Sequence, residues 1–247
     1  MSQPLFYLAM GGLDATMQDT AAAANNLANR ATVAYKAERP VFQAEPLYGA
    51  GLSDRVEVSA SQLSSDFSQG PIEQTGRNLD VAISGSGWIA VQAGDGSVAL
   101  TRNGALSISA SGVLQTSDGN AVLGQGMAPI VLPPLQKVTI GEDGTISGVL
   151  QGQPPDQVAT LNQIALTDPP ATALSRRGDG LFQDNAGTPQ PSAEVRLETG
   201  ALEGSNTEPV SLMLSMIENT REFEMQTEMM RNVLTADAGQ NSVLTLT

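Results

Sequence analysis

Residues 5–37 are LFYLAMGGLDATMQDTAAAANNLANRATVAYKA, and their pattern predicts a long N-terminal α-helix. Apolar or small residues recur in alternating steps of three and four, the spacing of a helix with a coiled-coil-like seam. The seam contains Phe6, Ala9, Leu13, Thr16, Thr20, Ala23 and Leu27, and an overlapping stripe adds Met10, Met17 and Ala24. The only charged side chains among the first thirty residues are Asp14, Asp19 and Arg30. We therefore expect this helix to bury several of its faces.

The C-terminal segment from Val210 to Leu234 has the same helical spacing. Ser205 or Asn206 is the expected N-cap. One apolar stripe contains Met213, Ile217 and Thr220, and a heptad-spaced second stripe contains Met216, Phe223 and Met230. The two terminal helices are expected to pack on each other.

The sequence between the two helices predicts β structure. Proline and glycine interrupt residues 37–76, which we interpret as an extended connector with one or two short strands. Short β-prone runs follow, separated by turn signals such as Gly94-Asp95-Gly96 and Asn103-Gly104. The predicted fold class is α+β, with long N- and C-terminal α-helices packed together in a coiled-coil-like pair and joined by the connector to a central all-β domain of short antiparallel strands. The predicted domains are 1–36 for the N-terminal helix, 37–76 for the connector, 77–205 for the β-rich domain and 206–247 for the C-terminal helix.

The composition narrows the classes of function. With 12 basic and 26 acidic residues the net charge is −14, which disfavours binding to nucleic-acid phosphates or to an anionic membrane surface. The chain has no Cys, which excludes disulfides and thiolate chemistry, and no His, the commonest general base and metal ligand. We therefore predict that the protein is not an enzyme and has no cofactor and no metal.

The sequence also bears on export. It contains no apolar run of the length, about 18 residues or more, that a transmembrane helix requires. The N-terminus lacks the basic and apolar regions and the cleavage site of a secretory signal. We expect the chain either to stay in the cytoplasm or to leave by a route that does not remove its N-terminus.

Three local motifs that could indicate chemistry are better explained as turns. The glycines of Gly85-Ser86-Gly87 precede a β-prone run, whereas a dinucleotide site needs a helix at that point. Arg177-Gly178-Asp179 spells a cell-adhesion tripeptide, which is interpreted as a turn. Glu142 and Asp143 precede Gly144 without the residue spacing of a calcium-binding loop.

Several motifs, in the same order along the chain, resemble those of bacterial flagellar rod and hook proteins. They are Asn25–Asn29 (NNLAN), Gln74–Ile83 followed by Gly85, Gly87 and Trp88, Thr101–Gly104, Gly112–Leu114, Gly119–Gly124, Gly200–Asn206 and Arg221–Gln226. The last motif is most similar to that of the proximal-rod subunits. Distal-rod subunits, the near alternative, usually have Tyr at the position of Phe223. The sequence departs from the family pattern at Thr32–Lys36, which lacks a usual glycine, at Trp88-Ile89 and at Thr207–Pro209.

The resemblance implies a structural subunit of the flagellar basal-body rod, the periplasmic drive shaft that transmits motor torque to the hook and encloses the export channel. It implies helical assembly with other copies of the chain and with adjacent proximal- and distal-rod subunits. Export by the flagellar type III apparatus, without a cleaved signal peptide, is also implied, and neither nucleic acid nor a small-molecule substrate is expected. The candidate interface residues, all on the terminal helices, are Phe6, Leu13, Met17, Asn25, Asn26, Leu27, Asn29, Met213, Met216, Ile217, Phe223 and Met230.

Two other classes of function stay open at this point. The first is a carboxylate-based hydrolase that uses a pair such as Asp80 and Glu73, and a pocket containing two facing carboxylates would support it. The second is a soluble β-rich binding or adhesion module that displays the loop around Arg177-Gly178-Asp179. The charge-poor N-terminal helix argues against the second class, because a large apolar surface is costly to expose.

Overall fold

The computed structural model describes residues 3–46 and 56–244, and the side chains of residues 10–42, 63–232 and 235. One α-helix, α1 (Gln3–Ala28), precedes all the strands in the sequence, and a second, α2 (Pro209–Leu244), follows them. The strands between them are β1 (Glu38–Pro46), β2 (Val56–Ser65), β3 (Ile72–Gln74), β4 (Val81–Ser84), β5 (Trp88–Gln92), β6 (Val98–Thr101), β7 (Leu106–Ile108), β8 (Leu114–Thr116), β9 (Ala121–Val122), β10 (Leu135–Ile140), β11 (Thr145–Leu150), β12 (Ala159–Gln163), β13 (Leu166–Thr167), β14 (Leu174–Arg176), β15 (Phe182–Asp184), β16 (Arg196–Thr199) and β17 (Ala201–Glu203). A short 3₁₀ turn, Ala171–Ala173, precedes β14.

The chain divides into two compact units. Unit 1 consists of residues 1–30, 37–66 and 207–247, and it contains both helices and the hairpin formed by β1 and β2. Unit 2 consists of residues 31–36 and 67–206, and it contains strands β3 to β17.

Unit 2 is built from antiparallel sheets. The largest is an eight-stranded sheet in the order β14-β15-β6-β5-β9-β8-β7, with β13 also paired to β5. A three-stranded sheet, β10-β11-β12, and the pairs β4-β16 and β3-β17 complete the unit. The main core is aliphatic and includes Ile83, Ile89, Leu106, Leu114 and Ile146. A second buried cluster contains the single tryptophan, Trp88, with Leu100 and Phe182.

Unit 1 pairs its two helices in opposite directions. The side chain of Asn219 donates a hydrogen bond to Asp19 at 2.9 Å, and Gln226 lies beside Gly12, seven residues earlier in α1. The hairpin contains a β-bulge between Val41 and Phe42. A hairpin of two strands is marginally stable by itself in water, so its stability depends on packing against other elements of the unit.

The predicted α+β fold with a coiled-coil-like helical pair is wrong. The described chain is mostly β structure, with a large multi-stranded sheet and only the two helices α1 and α2. Coiled-coil packing is not shown: the described contacts between the helices include polar side chains, as in the Asn219–Asp19 bond, and Met17 and Ile217, which belong to the predicted apolar stripes, are more than half exposed. Helical spacing predicts an apolar face but does not determine what covers that face.

The described part of the predicted connector, residues 37–46 and 56–76, contains β1, β2 and β3, which is more regular β structure than the one or two short strands expected there. Pro40 and Pro46 lie in β1, which pairs on one side only, with β2. Proline is tolerated in edge strands, where a missing N–H does not interrupt a ladder. The prolines that suggested an irregular connector are therefore compatible with a regular hairpin.

Gly104 lies so close to the backbone of Val81 in unit 2 that there is no room for a side chain. A Cβ atom at this residue would lie 1.7 Å from the carbonyl oxygen of Val81, whereas a Cβ at Gly94 would meet no atom within 4 Å. We predict that Gly104→Ala lowers the free energy of unfolding of unit 2 by about 1–3 kcal/mol or more, because the backbone must shift. Urea unfolding followed by the fluorescence of Trp88 measures this.

Gly94→Ala is the matched control, and it should change the free energy of unfolding by less than about 0.5 kcal/mol. Equal unfolding midpoints for the two variants would contradict the close approach of Gly104 to Val81.

Candidate functional site

The outward face of α2 carries a stripe of exposed apolar side chains. Val210, Leu214, Ile217 and Met225 are between 51% and 67% exposed. At 3.6 residues per turn these positions lie on one side of the helix, and the exposed Arg221 lies among them. We call these four apolar residues the α2 stripe. Such a row of exposed apolar side chains is typical of a surface that another protein covers.

The α2 stripe lies on the side of the helix opposite α1. Asn219 and Gln226, whose side chains contact α1, are about half a turn away from Ile217 and Leu214 around the helix. The half-buried residue Met216 lies nearer to the α1 side. Pairing with α1 therefore leaves the α2 stripe uncovered by the part of the chain that the structure describes.

Helix α1 also has exposed apolar side chains away from its partner. Met10 and Met17 are 48% and 59% exposed, and they are two turns apart on one side of the helix. Gly12 and Asp19, which contact α2, lie on the opposite side. Unit 1 thus presents an exposed apolar surface on each of its helices.

The structure distributes the predicted interface residues over several environments. Met17, Met213, Ile217 and Phe223 are exposed, and so is Asn25. A second group is half-buried, namely Leu13, Leu27, Asn29, Met216 and Met230. Asn26 is buried, and the side chain of Phe6 lies outside the part of the structure that is described. The membership of these residues in an assembly interface stays a prediction.

The asparagine side chains at the end of α1 form hydrogen bonds to other residues of unit 1. The side-chain amide of Asn26 donates to the carbonyl of Glu38 at 2.8 Å and accepts from the N–H of the same residue at 2.9 Å. This pair of bonds fixes the start of β1 against the end of α1. Asn29 donates to the backbone carbonyl of Asn25 at 3.0 Å and thereby caps the helix end. The sequence does not identify Glu38 as the partner of Asn26.

A buried charge cluster in unit 2 was missed by sequence reasoning. The side chain of Glu203 is completely buried between two cations, Lys36 at 2.6 Å and Arg102 at 3.1 Å. Lys36 also donates to the carbonyl of Ser68 at 2.6 Å. The available signal was positional, because each of the three charges occurs inside one of the family-like motifs: Thr32–Lys36, Thr101–Gly104 and Gly200–Asn206.

Each nitrogen atom of the Arg102 guanidinium donates a hydrogen bond inside unit 2. It donates through Nε to the carbonyl of Gly87 at 3.0 Å and through Nη2 to the carbonyl of Gly85 at 2.7 Å. Its centre lies 5.3 Å from the ring centroid of Trp88, within cation–π distance. The glycines that resembled a dinucleotide motif therefore supply carbonyl acceptors to an internal arginine.

Asp80 and Glu73, the pair predicted for a carboxylate hydrolase, line neither of two pockets in unit 2. Two open pockets of about 480 Å³ each occur in unit 2, and the lining of each includes a single carboxylate, Asp168 in one and Asp143 in the other. Asp80 is buried and accepts a hydrogen bond from Thr75 at 2.7 Å, whereas Glu73 is exposed. Within the described residues no group of three or more His, Cys, Asp or Glu side chains could hold a metal ion. Neither α1 nor α2, as far as they are described, is long and apolar enough to cross a membrane.

The Arg177-Gly178-Asp179 sequence forms a turn whose arginine is engaged within the chain. Arg177 bonds to Asp95 at 2.8 Å, to Asp179 at 3.1 Å and to Ser97 at 2.8 Å. Hydrogen bonds from Ser97, together with Arg177, hold the pKa of the Asp95 carboxyl well below its usual range. These contacts occupy the guanidinium that an adhesion ligand would have to present.

Comparison with known proteins identifies the family. Residues 82–148 match the flagellar hook protein FlgE/F/G D1 domain, and residues 198–233 match the C-terminal region of flagellar basal body rod FlgEFG proteins. The flagellar basal-body rod protein FlgF of Salmonella typhimurium is 36% identical over 97% of this chain and 98% of its own length. This chain belongs to the flagellar basal-body rod protein family.

Other relatives of this rod protein agree with that result. The flagellar basal-body rod protein FlgF of Escherichia coli is 37% identical over 92% of both chains. The flagellar basal-body rod protein FlgG of Buchnera aphidicola (subsp. Schizaphis graminum) is 29% identical over 91% of this chain and 94% of its own. The identity to these two FlgF proteins is higher than that to this FlgG protein, in agreement with the motif comparison. The C-terminal match includes both Glu203 and the α2 stripe.

We predict that Asn26→Ala destabilises unit 1 of the rod protein. Removing the amide leaves the N–H and the carbonyl of Glu38 without these two bonds, which costs about 1–3 kcal/mol. Thermal unfolding followed by the helical circular-dichroism signal measures the loss, since both helices belong to unit 1.

Asn25→Ala is the matched control, because Asn25 is the preceding residue and is exposed. It should change stability by about 0.5 kcal/mol or less. If both variants were equally destabilised, the specific role of Asn26 would be disproved.

Proposed function

We propose that this chain is a structural subunit of the flagellar basal-body rod, most similar in role to the proximal-rod protein FlgF. The observation that supports this most strongly is the combination of FlgF relatives along nearly the whole chain with an uncovered apolar stripe on α2. The subunit assembles with other copies and with adjacent rod subunits into a shaft. The shaft transmits motor torque to the hook and encloses the export channel.

The energetics of exposed apolar surface support assembly. Burial of apolar area is worth about 25 cal/mol per Å², so the four large side chains of the α2 stripe provide a substantial driving force when a neighbour covers them. The exposed Arg221 lies among the stripe residues, and the exposed Glu218, Glu224 and Glu228 lie at its margins. A neighbouring helix that covers the stripe must therefore pair these charges or leave them at the rim of the contact.

The arrangement of unit 1 suits contact with more than one neighbour. The apolar surfaces of α1 and α2 face away from the contact between the two helices, so they can meet different subunits. Met10, Met17 and Met225 are among these exposed side chains. Methionine adapts to irregular surfaces, as a subunit that meets non-identical neighbours in a mixed rod requires. Heterologous contacts of this kind generate an open helical assembly when the rotation between neighbouring subunits does not close a ring.

Within this proposal, the predicted interface residues on the helices contact neighbouring subunits. The exposed members Met17, Met213, Ile217 and Phe223 are the strongest candidates, because they are accessible before assembly. Asn26 acts indirectly by holding β1 in place. We further propose that the flagellar type III apparatus exports the chain with its N-terminus uncleaved and that the assembled subunit lies in the periplasmic rod.

We predict that Ile217→Asp prevents incorporation into the rod without unfolding the chain. The substitution places a carboxylate in the middle of the α2 stripe, where a neighbour would have to bury it. In a strain that lacks the native gene, the variant should be stable in the cell, absent from purified basal bodies, and unable to restore swimming. The fluorescence of Trp88 in the purified variant should equal that of the native protein.

Two controls separate the interface from the chemistry of the substitution. Thr220→Asp introduces the same charge at an exposed position on the flank of the stripe, and Ile217→Leu keeps the apolar surface. Both should restore swimming to at least half of the native level. Normal incorporation of the Ile217→Asp chain would disprove the role of the α2 stripe.

A further inference from the structure

The buried carboxylate of Glu203 lies where the end stretches of unit 2 meet. Unit 2 consists of two pieces of chain, 31–36 and 67–206, and therefore has four ends. The short piece, residues 31–36, has two of these ends. The stretch Phe67 to Gly70 begins at the third end, and the stretch Glu203 to Asn206 finishes at the fourth. Contacts to Glu203 and its neighbours join all three stretches.

The carboxylate of Glu203 receives a donor from each neighbouring stretch. Its Oε1 atom accepts from the ammonium of Lys36 at 2.6 Å and from the N–H of Gly70 at 2.9 Å. Its Oε2 atom accepts from Arg102 at 3.1 Å. Both oxygen atoms are therefore bonded, which offsets the cost of removing the charge from water.

The backbone of the same stretches is also joined directly. Ala34 donates to the carbonyl of Glu203 at 2.8 Å, and Asn206 donates to the carbonyl of Tyr35 at 3.2 Å. A Cβ atom on Gly70 would lie 2.2 Å from the carbonyl oxygen of Gly204, so the two backbones approach too closely for a side chain. The Asn206 side chain adds a bond to the carbonyl of Ser68 at 3.2 Å.

We infer that Glu203 is a positioning residue that locks the boundary stretches of unit 2 into one rigid joint. Lys36 and Arg102 are its counter-charges, and neither can leave without stranding a buried charge. The joint is a property of the isolated chain, and only its use, in keeping the boundary fixed under torque, rests on the proposed function. This role differs from general core packing because the joint can loosen while the sheets of unit 2 remain folded.

The substitution Glu203→Gln tests the inference with almost no change in volume. The amide retains one acceptor oxygen, but its NH₂ group must then face a cation, either Lys36 or Arg102. Glu198→Gln is the matched control, because Glu198 lies five residues earlier in unit 2 and bonds at the surface to Gln74.

The measurement is residue-resolved hydrogen exchange on the full-length purified chain. In Glu203→Gln, the amides of Ala34, Gly70 and Asn206 should exchange at least ten times faster than in the native chain. The amides of Leu123 and Ala165, which bond within the sheet, should change less than twofold. Glu198→Gln should change neither group.

Two results would overturn the inference. One is unchanged exchange at the boundary amides, and the other is an equal acceleration of boundary and sheet amides, which would mean that Glu203 contributes only to global stability. If Glu203→Gln fails to fold, Arg102→Lys replaces it, since it keeps the charge but loses the fork that also bonds Gly85 and Gly87. The same local acceleration is then expected, and its absence counts against the inference.

The outcome is independent of the proposed function. Complementation of a rod-deficient strain by the native chain tests the proposed function, whereas exchange at the boundary tests the joint. Faster exchange in Glu203→Gln combined with failed complementation by the native chain would leave the joint intact and reject the rod assignment.

Discussion

The burial of the Glu203 carboxylate is the constraint on which the organisation of unit 2 depends. A carboxylate without solvent access is tolerated only with charged partners and complete hydrogen bonding, so Lys36 and Arg102 must occupy fixed places around it. Arg102 in turn needs the carbonyls of Gly85 and Gly87, which fixes the turn before β5. A single charge thus connects chain segments that are far apart in the sequence. Arg102 and Glu203 lie in the two regions that match the family models.

The two units of the chain differ in which side chains, polar or apolar, they bury and expose. Unit 2 buries an aliphatic core and leaves few of its large apolar side chains exposed, as expected of a stable β-rich domain. Unit 1 joins its helices through Asp19, Asn219 and Gln226, and exposes the α2 stripe. A helix that exposes its apolar face gains stability when a partner covers it. This difference is what a subunit needs if one part folds independently and the other is completed by assembly.

Sequence reasoning predicted the local elements better than their packing. Helical spacing correctly indicated helices at both termini, and turn signals such as Asn103-Gly104 correctly indicated short strands in unit 2. It failed for the coiled-coil pair, because spacing reveals that α2 has an apolar face but not that the face points away from α1. The extent of β structure in the connector was underestimated because Pro40 and Pro46 interrupt the sequence pattern, whereas an edge strand accommodates them. The sequence could not predict the Glu203 cluster, since Lys36 and Arg102 are each more than a hundred residues from Glu203 and only the fold brings them together.

The central claim is that the α2 stripe is open in the isolated subunit and covered in the rod. The native chain has no cysteine, so Leu214→Cys introduces a single reactive thiol in the middle of the stripe. The most direct measurement is the rate of maleimide labelling of this thiol in the purified chain and in intact isolated basal bodies. The account predicts rapid labelling of the purified chain and labelling at least a hundred times slower in basal bodies that contain the variant. Equal labelling rates in the two preparations would contradict it.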